Sequence, residues 1–154
     1  MSVHVNVSSD TEPEQLADLG RVAHECERLG MPLLAMMYAR GATTSPEATS
    51  GRTLAHLAAI ATDLGADVVK LDYAGTTEAM DQVVDSCPLP ILVAGGPAAA
   101  SDDAAVELGC RVAESRVAGL SFGRQIFGAD DPSHVATALA AHLHDHDPRA
   151  LQLA

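Results

Sequence analysis

The sequence predicts an α/β protein built from five consecutive βα units with parallel strands, and three observations predict it. Short apolar runs alternate with helical segments along the whole chain, at about 30 residues per unit. The apolar residues are aliphatic: hydrophobic residues make up 47% of the 154 and aromatic residues 3%, with no Trp, which suits parallel strands covered by helices. Gly and Pro punctuate the junctions, as at Gly30, Gly65, Pro88, Pro90 and Gly95. Residues 1–154 read as a single domain, with a polar tail over 142–154.

The first strand is Val3 to Val7, where β-branched and polar residues alternate and Val3, Val5 and Val7 share one face. Ser8, Ser9 and Asp10 offer capping side chains to a helix over Glu12 to Leu29, whose apolar positions Leu16, Leu19, Val22, Ala23 and Cys26 recur at helical spacing; Gly30 stops it. Met31 to Tyr38 is the second strand. A loop from Ala39 to Ser50 follows, long enough to be functional. Thr53 to Leu64 is helical, Asp67 to Asp72 the third strand, Thr77 to Ser86 a short helix and Ile91 to Ala94 the fourth strand. A helix over Asp102 to Ser115, a fifth strand over Gly119 to Phe122 that breaks at Gly123-Arg124, and a closing helix over Pro132 to His144 complete the series.

Two architectures accept this pattern, a flavodoxin-like open sheet and part of an eight-stranded barrel, and length alone favours the first. A receiver or nucleotide module of the open-sheet kind lacks its marks: the lysine follows the third strand, and no phosphate-binding glycine fingerprint follows the first. The formal net charge of −12 repels nucleic acid and anionic membrane alike. Cys26, Cys87 and Cys110 are widely spaced and odd in number, the pattern of reduced thiols rather than disulfides or a zinc site. A soluble cytoplasmic protein is expected, with neither signal peptide nor membrane span.

Either architecture gathers ligands beyond the carboxyl ends of the strands. Lys70 arrives there as the only lysine in the chain, against eight arginines. Positive charge alone is available from Arg, whereas an imine requires an amine that can lose its proton. The competing reading of Lys70 is an ion pair with Asp72, two residues on and on the same face, which would hold the amine protonated. Tyr38 ends the second strand and is placed for acid/base work beside that nitrogen, or else is an amphipathic core-edge residue. Gly95-Gly96 and Gly123-Arg124 follow the last two strands, where backbone N–H groups and a guanidinium fork suit a phosphate. His4 and Asn6 face a polar interior layer, Tyr73 is structural, and Arg40 either screens substrate anions or is solvated. His142, His144 and His146, with Asp145 and Asp147, read as a solvated helix end, so no metal is expected.

Glu25 to Gly41 reads E-C-E-R-L-G-M-P-L-L-A-M-M-Y-A-R-G, and H-V-N-V-S-S-D from His4, L-G-A-D-V-V-K from Leu64, C-P-L-P-I-L-V-A-G-G-P from Cys87 and G-R-Q-I-F from Gly123 fall in order around it. Together these segments resemble the archaeal-type class I (Schiff-base) aldolases of the DeoC/LacD kind, which include fructose-bisphosphate aldolase and aminodideoxyheptulosonate synthase. Met36 brings the resemblance nearer the second. It implies a partial TIM (β/α) barrel, the C-terminal five units of eight. Lys70 aligns with the Schiff-base lysine, Tyr38 with the proton-transferring tyrosine, and Gly95, Gly96, Gly123 and Arg124 with the loops that hold substrate phosphate.

The implied activity is a carbon–carbon lyase or transferase acting on a phosphorylated keto sugar, with no cofactor. Ser8 stands for a usual Gly, Ala39 for Pro, Asp72 for Asn or Ser, Ala74 for Thr and Arg116 for a small residue. The early strands, with an acidic catalytic residue of the family, are expected to be absent. Two open sheet edges then imply a homo-oligomer or a partner chain that completes the barrel. The alternative is a catalytically incomplete half-barrel that binds a phosphorylated ligand or depends on such a partner.

Overall fold

The computed structural model describes residues 1–41 and 47–145. Residues 42–46 of the loop expected over Ala39 to Ser50, and residues 146–154 of the expected tail with His146 and Asp147, lie outside the described residues.

Strand and helix alternate up to the last strand, which two helices follow: β1 (Ser2–Val7), α1 (Glu12–Leu29), β2 (Leu34–Ala39), α2 (Gly51–Asp63), β3 (Val68–Leu71), α3 (Thr77–Asp85), β4 (Ile91–Ala94), α4 (Asp102–Ala113), β5 (Gly119–Ser121), α5 (Arg124–Phe127) and α6 (Pro132–Asp145). All strands are parallel, and their order in the sheet is their order in the chain. Right-handed crossovers between neighbours taken in that order put every helix on one face of the sheet. A doubly wound sheet reverses its order to cover both faces, so the order here decides for the partial β/α barrel.

Burial follows the same division. Val5, Ala35, Met37, Val69, Leu71, Ile91 and Val93 point at the helices and are at most 2% exposed. Leu19 of α1, Leu54 and Leu57 of α2, and Met80 and Val83 of α3 close over them. Each such side chain contributes about 1.5–3 kcal/mol by leaving water. Leu34, Met36, Val68, Lys70 and Leu92 alternate onto the other face and remain half-buried.

Local chemistry sets the element ends, several of which differ from the sequence reading, and three of these show why. Met31 to Leu33 do not belong to β2: the Met31 N–H still closes α1 on the Cys26 carbonyl, and the Pro32 carbonyl accepts the N-terminal ammonium at 2.8 Å. α2 starts before Thr53 because Ser50 caps it, its Oγ accepting the Thr53 N–H at 3.2 Å. Gly123-Arg124 is not a plain break but the entry to the one-turn helix α5. At α1, Pro13 and the acidic Glu12 and Glu14 occupy a first turn that favours both. Among the described residues no helix is long and apolar enough to cross a membrane.

Candidate active site

Strand register lays His4, Met36, Lys70, Leu92 and Gly119 side by side across the face the helices leave open. Two residues nearer the strand ends, Asn6 pairs with Tyr38 and Ala94 with Ser121. Above these rows opens a cleft of about 220 Å³. His4, Tyr38, Arg40, Lys70 and Asp72 line one side, and Gly95, Gly96, Ser121, Gly123 and Arg124 the other. All six residues singled out for chemistry by sequence therefore meet in one cleft. A larger hollow of about 650 Å³, between α1 and the turn from α2 to β3, lies at the opposite end of the strands and contains no lysine.

Burial shifts the two titrating groups in opposite directions. Burial holds the Lys70 amine below the ordinary lysine value, against the opposing pull of the Asp72 carboxylate. The Tyr38 phenol is pushed up, by burial first and Asp72 second, while Arg40 and Arg124 draw it down. The amine is thus shifted toward its nucleophilic form while the phenol keeps its proton through neutral pH.

The surroundings of Tyr38 fix its ring. The Arg40 guanidinium sits 4.1 Å from the ring centroid, and its Nη2 lies 3.6 Å from Asp72 Oδ1. His4 meets the ring edge-on, with centroids 5.0 Å apart, and its Nε2 donates to Asn6 Oδ1 at 3.0 Å. Tyr38 is 7% exposed as a result. Tyr73 packs against the core instead, as a structural residue should.

The glycine side of the cleft is braced by Gln125, which the sequence reading passed over. Its Nε2 donates to the Gly95 and Pro97 carbonyls, and its Oε1 accepts the Ala99 N–H at 2.9 Å. A Cβ on Gly95 would stand 2.7 Å from Gln125 Cγ and 3.0 Å from Phe122 Cδ1, so any larger residue would displace the Gln125 side chain. The available signal was an amide within the apolar turn R-Q-I-F; only its 3% exposure gives it weight. Ser121 was missed too, although strand alternation puts it on the cleft face. His142 and His144 lie in the last turns of α6, and among the described residues no three His, Cys, Asp or Glu side chains are grouped to hold a metal.

Residues 1–129 match the family described as DeoC/LacD family aldolase. Over 152 residues the chain is 40% identical to 2-amino-3,7-dideoxy-D-threo-hept-6-ulosonate synthase of Halobacterium salinarum, covering 97% of this chain and 56% of that protein. Over 149 residues it is 37% identical to 2-amino-4,5-dihydroxy-6-oxo-7-(phosphonooxy)heptanoate synthase of Streptomyces griseus, covering 97% and 54%. A Schiff-base-forming fructose-1,6-bisphosphate aldolase of known structure superposes with a TM-score of 0.85 at 25% identity, over 92% of this chain and 57% of its own. The chain spans about half the length of the curated relatives it matches.

Proposed function

Because the chain belongs to the DeoC/LacD family of aldolases, we propose that it breaks or forms a carbon–carbon bond through an imine between Lys70 and a phosphorylated keto sugar. The observation that carries this reading is the sole lysine of the chain, its amine shifted toward the neutral form, in one cleft with a protonated tyrosine and an arginine. Lys70 Nζ attacks the substrate carbonyl carbon, and the carbonyl oxygen takes a proton from the Tyr38 phenol. Loss of that oxygen as water, its two hydrogens coming from Tyr38 and from the amine, leaves an iminium beside the Tyr38 phenolate. The iminium draws in the electron pair of the breaking carbon–carbon bond to become an enamine. The Tyr38 phenolate recovers a proton from the hydroxyl that becomes the aldehyde, and the reverse sequence forms the bond.

Backbone N–H groups at Gly95, Gly96 and Gly123, with the Arg124 fork, take the substrate phosphate, an arrangement barrels favour after their last strands. The names of these relatives support a phosphorylated keto compound as substrate or product. Met36 and the identity to the heptulosonate synthase weigh toward that branch. The free thiols Cys26, Cys87 and Cys110 suit the reducing cytoplasm.

The test is borohydride trapping with dihydroxyacetone phosphate, read by mass spectrometry. An adduct on Lys70 is expected. A folded sample without one would reject imine chemistry in this chain alone and favour the second reading, a half-barrel that binds a phosphorylated ligand and acts with a second copy or a partner chain. The half-length coverage of the relatives, with β1 and β5 as sheet edges, is what favours that reading.

A further inference from the structure

We propose that Asp72 is the counter-ion of the positive charge that develops on the Lys70 nitrogen, and that Arg40 governs how much of that counter-charge Lys70 feels. The proposal rests on the imine reading and adds to it a residue that departs from the family pattern. Asp72 follows β3 by one residue, two beyond Lys70, so both side chains rise from the same face into the cleft. Its side chain is 22% exposed and its near cation is Arg40, at 3.6 Å. Arg40 is 51% exposed on the loop leaving β2, with room to change partners. The other titratable and charged groups facing this nitrogen are His4 from β1, Tyr38 from β2 and Arg124 after β5.

The chemistry gives the pair a timetable. In the empty cleft Arg40 offsets Asp72, which leaves the amine freer to lose its proton and attack. An anionic substrate group arriving at the mouth competes for the guanidinium fork, since a phosphate binds it in two places. Asp72 is then left facing the nitrogen while the neutral carbinolamine loses water and becomes a cation. That charge disappears again when the enamine forms, so Asp72 favours imine formation and not the bond cleavage after it. The opposing influence of Asp72 on the Lys70 amine agrees with this placement.

A single lysine makes the test direct, because protein labelled with ε-13C-lysine gives one lysine signal whose titration reads Lys70 without turnover. Asp72→Asn is expected to lower the Lys70 midpoint and to slow borohydride-trapped imine formation about tenfold, the equivalent of one pKa unit. Arg40→Ala is expected to raise the midpoint, and the double variant to titrate like Asp72→Asn. Added inorganic phosphate should raise the midpoint more in the wild type than in Arg40→Ala. An unmoved midpoint in both single variants, or movement of both in one direction, overturns the pair. Trapping as fast in Asp72→Asn as in the wild type overturns the counter-ion alone, and a wild type that traps no adduct removes the imine reading and this proposal with it.

Discussion

Replacing Lys70 by Arg keeps a cation at the same depth but removes a nitrogen able to shed its proton and attack. Lys70→Arg is therefore expected to trap no adduct while retaining the fold, checked by mass spectrometry and circular dichroism on the same sample. Tyr38→Phe leaves the ring in contact with His4 and Arg40 but removes the proton, and should slow imine formation by about 10²–10⁴-fold. The pH profile follows from the two shifts. Imine formation should rise with pH up to the lowered pKa of Lys70 and fall only above the raised pKa of Tyr38, giving a broad plateau. A single limb in stopped-flow trapping would contradict that assignment. Lys70 was legible in the sequence because it has no competitor, and Tyr38 because it ends a strand. Gln125 was not, because its partners lie about 30 residues earlier and only the folded loop brings them to it.

Turns and element ends were the least legible features, since each is decided by hydrogen bonds to distant or capping groups. Aliphatic alternation located all five strands, but it could not foresee that Met31 would be needed to finish α1. The turn from β1 to α1 carries a testable consequence of its own. Ser8 stands at φ 73, in the left-handed region that favours glycine, held by its N–H to Glu12 Oε2 at 2.5 Å. Across from it, a Cβ on Gly41 would come within 1.8 Å of the Ser8 carbonyl oxygen. Ser8→Gly should relieve about 1 kcal/mol of left-handed strain and raise the melting temperature by about 2–5 °C in a thermal scan. On the other side of the cleft, Gly95→Ala forces its methyl against Gln125 and Phe122 and should cost about 1–3 kcal/mol in urea unfolding. Weaker phosphate binding should accompany that loss, because the same turn lines the cleft.

Length alone pointed to an open sheet and the family resemblance to part of a barrel, and the strand order bears out the second. A sequence pattern gives the alternation of elements but not the order in which strands lie. The charge of −12 does belong to the whole molecule. Exposed pairs such as Arg28 with Glu25 and Arg111 with Glu107 contribute little, so mutual repulsion among the excess carboxylates prevails. Unfolding midpoints should accordingly rise as chloride salt is added to about 0.5 M, where charges are screened within a few ångströms. Arg116 forks onto Asp85 and takes the Asp81 carboxylate on its own N–H, fastening α3 to the turn before β5. Strand order that matches chain order has one more consequence, for synthesis. Each strand's partner lies a single helix away, so the sheet can grow by accretion as the chain leaves the ribosome, every new strand docking on an edge already in place.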